Sequence, residues 1–307
     1  MISPLDILTS DLLRYPLIIA VLIGLTAPVV GTYLVQKRLS LLGDGLGHVA
    51  LTGVALGWLV GAWISASPAD LLAIPGALAA SVIGALLIEY VREISHTSRD
   101  VALAILFYGG IAGGVVIIQL AGGTSQNLMG YLFGSLSTVT ALDTIISSVL
   151  AVLVLVIGVG LSGLLSAVTA DEEFARASGL PVRLVNVLIA VLAALTVTLS
   201  MRIVGALMVS ALMIVPVAAA QQLVVGFART MRTAMAIAVI CSLGGLLITV
   251  YVDLPPGGVI VLLTIAVYVA ALVVRSLLAA RRSRPAGGPG PTAADAAPVA
   301  ARGPSHR

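Results

Sequence analysis

The chain has 307 residues, of which 60% are hydrophobic and 9% charged, against about 25% charged in an ordinary soluble domain. With a mean hydropathy of +1.16, this excludes a soluble globular fold and gives an all-α polytopic membrane protein. The net charge of +3 does not read as nucleic-acid binding, because Lys37 is the single lysine and no basic face with interleaved aromatics occurs.

From the N-terminus, Ile2, Leu5, Leu8, Leu12 and Leu13 recur at helical spacing, so residues 1–13 are expected as an interfacial segment on the outer face of the bilayer. The apolar run from Leu17 to Leu25 follows Asp6, Asp11 and Arg14 and lacks a small-residue cleavage pattern, so it reads as a retained span rather than a secretion signal. Windows of about 20 residues then place spans at 15–35, 46–65, 71–91, 101–120, 142–165, 183–201, 203–224, 231–251 and 257–278. Only Met201 and Arg202 separate the sixth from the seventh, so the expected count is eight or nine. Residues 14–280 form one transmembrane domain. From Arg281 the composition shifts to Pro, Ala, Gly and Ser, as in a disordered cytoplasmic tail over 281–307.

With nine spans and the N-terminus outside, the inner side receives Lys37, Arg38, Arg92, Arg99, Arg176, Arg183, Arg229, Arg232, Arg275 and the tail arginines. The outer side receives only Arg14 and Arg202. The positive-inside rule therefore places the C-terminus, and the polar insertion from Thr169 to Arg183, in the cytoplasm.

The segment Gly43-Asp44-Gly45-Leu46-Gly47-His48 holds an acid and a histidine four residues apart at the mouth of the second span. On a helix both side chains share one face, so a carboxylate oxygen and an imidazole nitrogen can converge on one cation. An intramembrane acid normally faces a cavity, a partner or an ion, since an ionised Asp at the bilayer centre costs roughly 3 kcal/mol. Two readings stand: a metal pathway or gate at Asp44 and His48, or a helix cap by Asp44 with His48 as a hydrogen-bonded packing residue. The three glycines suit either a broken helix or a tight turn. Asp100 starts a helix, where it caps or joins the pathway. Pro216 is expected to kink its span, with Ser210 available to satisfy freed backbone groups. Glu89 and Arg92 are expected to pair near the inner interface, His96 to be solvated in a loop, and Cys241 to be a buried packing residue.

The insertion Thr169 to Pro181 opens with an N-cap, Thr169 or Asp171, has acids in the first turn, and stops at Gly179 and Pro181. It predicts a short free-standing helix presenting Phe174 and acids. Such a segment is either a solvated connector or a docking element for a partner. No G-x-x-x-x-G-K-[ST] motif occurs in the chain, so any ATP would be hydrolysed by another subunit.

Five stretches together resemble the membrane permeases of ABC importers for zinc, manganese and iron. Arg38 to Leu51 looks like the hallmark at the second span, Asp100 to Phe107 like the acid-led start of the fourth, and Tyr131-Leu132-Phe133-Gly134 like the turn outside the fifth. Asp171 to Pro181 is similar to the coupling segment, and Val204 to Pro216 to a late helix ending in proline. Thr52 stands where the family often has proline, and Gly47 where it usually has serine. The resemblance implies a type II importer permease fold in the cell membrane, with two copies enclosing the pathway. A cytoplasmic ATPase would dock on Asp171, Glu172, Phe174, Ala175, Gly179 and Pro181, and an extracytoplasmic metal-binding protein would deliver the cargo. The cargo would be a divalent transition metal, zinc or manganese foremost; no cofactor is expected on this chain. A proton-coupled secondary metal carrier is the alternative, since it too would use an intramembrane acid and histidine. An intramembrane metalloenzyme is disfavoured, with no H-E-x-x-H and only three histidines.

Overall fold

Apolar residues in long uninterrupted runs leave the backbone no partner in a bilayer but itself, and the chain answers with helices throughout. The computed structural model describes residues 11–65, 71–94, 99–122, 125–135, 139–252 and 254–282. The helices are α1 (Asp11–Gln36), α2 (Leu42–Trp63), α3 (Ala73–Ile94), α4 (Arg99–Leu120), α5 (Ser125–Phe133), α6 (Ala141–Gly160), α7 (Ser162–Ala170), α8 (Glu172–Ala177), α9 (Val182–Ser200), α10 (Val209–Leu223), α11 (Phe227–Val252) and α12 (Pro256–Arg282). Among the described residues eight helices are long and apolar enough to cross a membrane. Residues 1–10 and 283–307, with most of the expected interfacial segment and tail, lie outside the described residues, as do His96 and the side chain of Arg92.

The bundle is built around α1 and α9. Helix α1 packs on α6, α9, α10 and α11, while α9 also packs on α2, α3 and α6. Both are apolar all round and buried inside the protein, with Ile19, Ile23, Val30, Leu192 and Val197 at its centre. Buried hydroxyls are satisfied locally: Thr26, Thr32, Thr196, Thr198 and Ser200 each donate to the carbonyl four residues back. Tyr33 crosses from α1 to α6, donating to the Gly158 carbonyl.

The expected seventh span is not one helix. After α9 the chain turns inside the bundle over residues 201–208, with Ile203, Val204 and Ala206 fully buried. Only then does α10 begin, and its 15 residues cover about 22 Å at 1.5 Å each, short of the ~30 Å hydrocarbon core. Hydropathy cannot see this break, because the turn is as apolar as a helix. It is held by backbone bonds to the next layer: Ala206 N–H donates to the Tyr131 carbonyl, Leu207 N–H to Leu132 and Ser135 N–H to Arg202. Gly205, at φ +84, supplies the left-handed corner. The expected seventh span is therefore a buried turn followed by a short helix.

Candidate metal pathway and coupling site

Helix α2 runs unbroken through the three glycines, so neither the broken helix nor the tight turn expected at them forms. Counting 100° per residue, Gly43 and Gly47 share one sector of α2, His48 and Thr52 another, and Asp44 falls between them. The first sector meets α10 and the buried turn. A Cβ on Gly47 would lie 2.7 Å from the Ala206 carbonyl oxygen, and one on Gly43 would lie 3.0 Å from Ser210 Oγ. The second sector meets α4, where a Cβ on Gly110 would come within 2.7 Å of the His48 carbonyl carbon. Thr52 Oγ1 ties the same two helices by donating to the Gly110 carbonyl at 2.7 Å. Helices α4 and α10 both pack on α2 but scarcely on each other. By this count Asp44, half-buried, falls between the two contact faces, with the N-terminal end of α10 close by.

Asp44 lies in the first turn of α2, favourably placed at the positive end of the helix dipole. The N-cap itself is Leu41, without a side-chain cap, so the capping alternative is not what this helix uses. His48 is 1% exposed. Its ring packs edge-on against Phe107 of α4, with centroids 4.3 Å apart. The hydrogen-bonded packing role does not hold either, since neither ring nitrogen has a hydrogen-bond partner among the described residues. Each such buried group costs about 1–3 kcal/mol. The two side chains interact electrostatically, and a carboxylate and an imidazole one turn apart form a borderline donor pair suited to zinc, manganese or iron. Among the described residues no group of three or more His, Cys, Asp or Glu gathers to hold a metal.

The secondary candidates divide. Ser210 Oγ is buried beside Gly43 but, contrary to expectation, satisfies no freed backbone group and has no partner among the described residues. Pro216 is inside the buried stretch of α10, and Asp100 is the second residue of α4. Cys241 is buried, as expected.

At the end of the bundle where the α1–α2 link, α8 and the start of α9 meet, the segment expected to couple to a partner forms the six-residue helix α8. Asp171, rather than Thr169, is its N-cap, accepting from the Phe174 amide at 2.9 Å. The C-terminus closes as a Schellman turn: Gly179 N–H donates to the Arg176 carbonyl and Leu180 N–H to Ala175, with Gly179 at φ +77. Pro181 then leads into α9. Phe174 is 71% exposed. Ala175 is the correction here: it is buried against its own chain, so it seats the helix rather than facing outward.

Nor is the helix free-standing. Asn186 Nδ2 on α9 donates to Glu172 Oε1 at 2.9 Å, Lys37 Nζ donates to Asn186 Oδ1, and Lys37 Nζ lies 3.9 Å from Glu172 Oε2. Thr169 Oγ1 donates to Gln36. Composition gave Lys37 only as a topology mark; its task is to join α1, α8 and α9. A cavity of about 1240 Å³ opens beside this network, lined by Leu42, Glu89, Leu103, Glu172, Arg176 and Asn186 among others.

The family profile described as the ABC 3 transport family matches residues 9–275. The manganese transport system membrane protein MntC of Halalkalibacterium halodurans is 29% identical over 266 residues, covering 87% of this chain and 88% of its own. The high-affinity zinc uptake system membrane protein ZnuB of Haemophilus influenzae is 30% identical over 258 residues, covering 83% and 94% respectively. Among solved structures, PsaBC from Streptococcus pneumoniae in complex with Fab superposes with a TM-score of 0.79 at 26% identity, over 90% of this chain and 98% of that one. With a profile match over nearly its whole transmembrane part and the same helical arrangement, the chain belongs to the ABC 3 transport family.

Proposed function

We propose that this chain is the membrane-spanning permease of an ATP-driven importer for a divalent transition metal, zinc or manganese foremost. The observation that carries the reading is the Asp44–His48 pair on one face of α2, with Asp44 half-buried between the α4 and α10 contact faces, His48 buried against α4, and no third His, Cys, Asp or Glu gathered with them among the described residues. A weak, incomplete donor set suits a cargo that must leave as readily as it arrives. The permease works as a pair of copies, so that two such donor sets face one pathway. The N-terminus is outside and the C-terminus cytoplasmic, as the arginine distribution supports. A cytoplasmic ATPase docks on the exposed Phe174 of α8, and an extracytoplasmic metal-binding protein delivers the ion. The Schellman-capped helix, bolted to α1 and α9 by Lys37 and Asn186, supports ATP-driven coupling over a proton-coupled carrier, which would need no such knob.

The test is uptake of radiolabelled zinc and manganese in cells that express the permease with its ATPase and binding protein. Asp44→Asn and His48→Ala are each expected to abolish uptake while leaving insertion and ATPase co-purification intact. Uptake at the wild-type rate in both variants would refute the metal-pathway assignment, and uptake that survives loss of the ATPase would favour the carrier.

A further inference from the structure

Asp44 and His48 share one helical face but not one environment: the carboxylate side chain is half-buried beside the cleft, while the imidazole is sealed. The seal is made by α4. Gly110 brings its backbone against His48, Thr52 fastens the two helices there, and one turn earlier the Phe107 ring packs edge-on against the imidazole. With the imidazole 1% exposed, both its nitrogens buried and its ring packed against Phe107 at 4.3 Å between centroids, neither nitrogen is open to an ion with its further ligands while the helices stand this way. Phe107 itself is only half-buried. Its ring also touches that of Tyr108, which is 69% exposed. The phenyl is thus only partly enclosed, its other ring neighbour being the exposed Tyr108, whereas the Gly110 contact fixes the helix behind it.

We propose that Phe107 is the gate of the pathway at His48, a positioning residue that keeps the imidazole out of reach until its ring rotates away. The inference rests on the assignment of Asp44 and His48 to the pathway. A cation then meets Asp44 first and gains His48 only when the phenyl leaves, so the two donors act in sequence and the closed state does not leak. The apolar cover also explains how a polar ring with two unpartnered nitrogens is kept in place: it is held by packing rather than by hydrogen bonds.

The experiment uses the full-length permease with its ATPase in nanodiscs and in liposomes. Carbethoxylation of His48 by diethyl pyrocarbonate is followed by peptide mass spectrometry, and manganese leak is measured without ATP. Phe107→Ala is expected to raise the rate of His48 modification several-fold and to let manganese leak, Phe107→Leu to do so less, and Phe107→Trp to do neither. If Phe107→Ala does not fold, Phe107→Leu against Phe107→Trp makes the same comparison. Equal His48 modification across the wild type and these variants would overturn the gate. His48→Ala with full uptake would instead overturn the underlying site, so the two failures are distinguishable.

Discussion

Arg202 Nη2 lies 3.6 Å from Asp143 Oδ1, and both side chains are at least nine-tenths buried. The pair joins the buried turn after α9 to the first turn of α6, where Asp143 also completes a capping box with Thr140. The Arg202 guanidinium lies 5.7 Å from the centroid of the Tyr131 ring. Breaking one half of a buried pair costs about 3–5 kcal/mol, mostly by stranding the other charge. Arg202→Met is therefore expected to lower the thermal midpoint in detergent strongly, and adding Asp143→Asn to recover part of the loss. If the double variant is no more stable than Arg202→Met, the pair is not what anchors the turn.

The polar triangle of Lys37, Asn186 and Glu172 leads to a different kind of defect. Lys37→Met should leave the helices in place but loosen α8 from α1 and α9. Couplings carried by such networks run at about 0.5–2 kcal/mol, so uptake is expected to fall roughly 2- to 30-fold while ATP hydrolysis persists. Uptake per ATP hydrolysed is the measurement. An unchanged ratio would make the triangle mere packing.

Much of this architecture is legible in the sequence, and what is not has a physical reason. Long apolar runs delimited α1, α2, α3, α4 and α9 to within a few residues, because hydropathy and helix length are both set by the bilayer. The turn from Met201 to Met208 was invisible since its residues are as apolar as those of a helix, and its partners are backbone groups of α5 far away in sequence. The Gly179 cap could be read in advance, being purely local. The inward face of Ala175, the joining role of Lys37 and the cover by Phe107 all depend on which helices become neighbours, which no single-chain periodicity encodes.

The caps of α8 predict how the proposed coupling element fails. Gly179→Val places a β-branched residue at φ +77, a left-handed conformation costing about 1–2 kcal/mol for an L-residue. It should tilt α8 and cut uptake while the protein inserts normally. Phe174→Glu should leave α8 intact and abolish co-purification of the ATPase. Ala175→Arg is expected to destabilise the permease itself, because Ala175 is buried against its own chain. Retention of the ATPase by Phe174→Glu would remove Phe174 from the docking surface.

Orientation can be tested with single cysteines in a Cys241→Ser background. Arg229, exposed in the first turn of α11, and Leu254, exposed in the α11–α12 link, lie at opposite ends of one helix. With the cytoplasmic C-terminus proposed above, a membrane-impermeant maleimide added to intact cells should label Leu254→Cys and not Arg229→Cys. The reverse pattern would invert the topology and, with it, the side from which the cargo enters.

Gly47 on α2 and Gly110 on α4 mark close backbone contacts on two sides of α2, and substitution at each should injure a different partner. A Cβ on Gly110 would meet the backbone of His48 at 2.7 Å, and one on Gly47 the Ala206 carbonyl oxygen at the same distance. Backbone cannot yield as a side-chain tip can, so either substitution must push whole segments apart. Gly110→Val separates α4 from α2, dislodging Phe107 from His48 and breaking the Thr52 hydrogen bond. Gly47→Val instead lifts the buried turn that precedes α10, leaving the α2–α4 contact alone. Overpacking of this kind costs about 1–3 kcal/mol, so both variants should lose stability in a thermal melt. Only Gly110→Val should also raise diethyl pyrocarbonate modification of His48. If Gly47→Val exposes His48 equally, the imidazole is sealed by the bundle as a whole and not by its contact with α4.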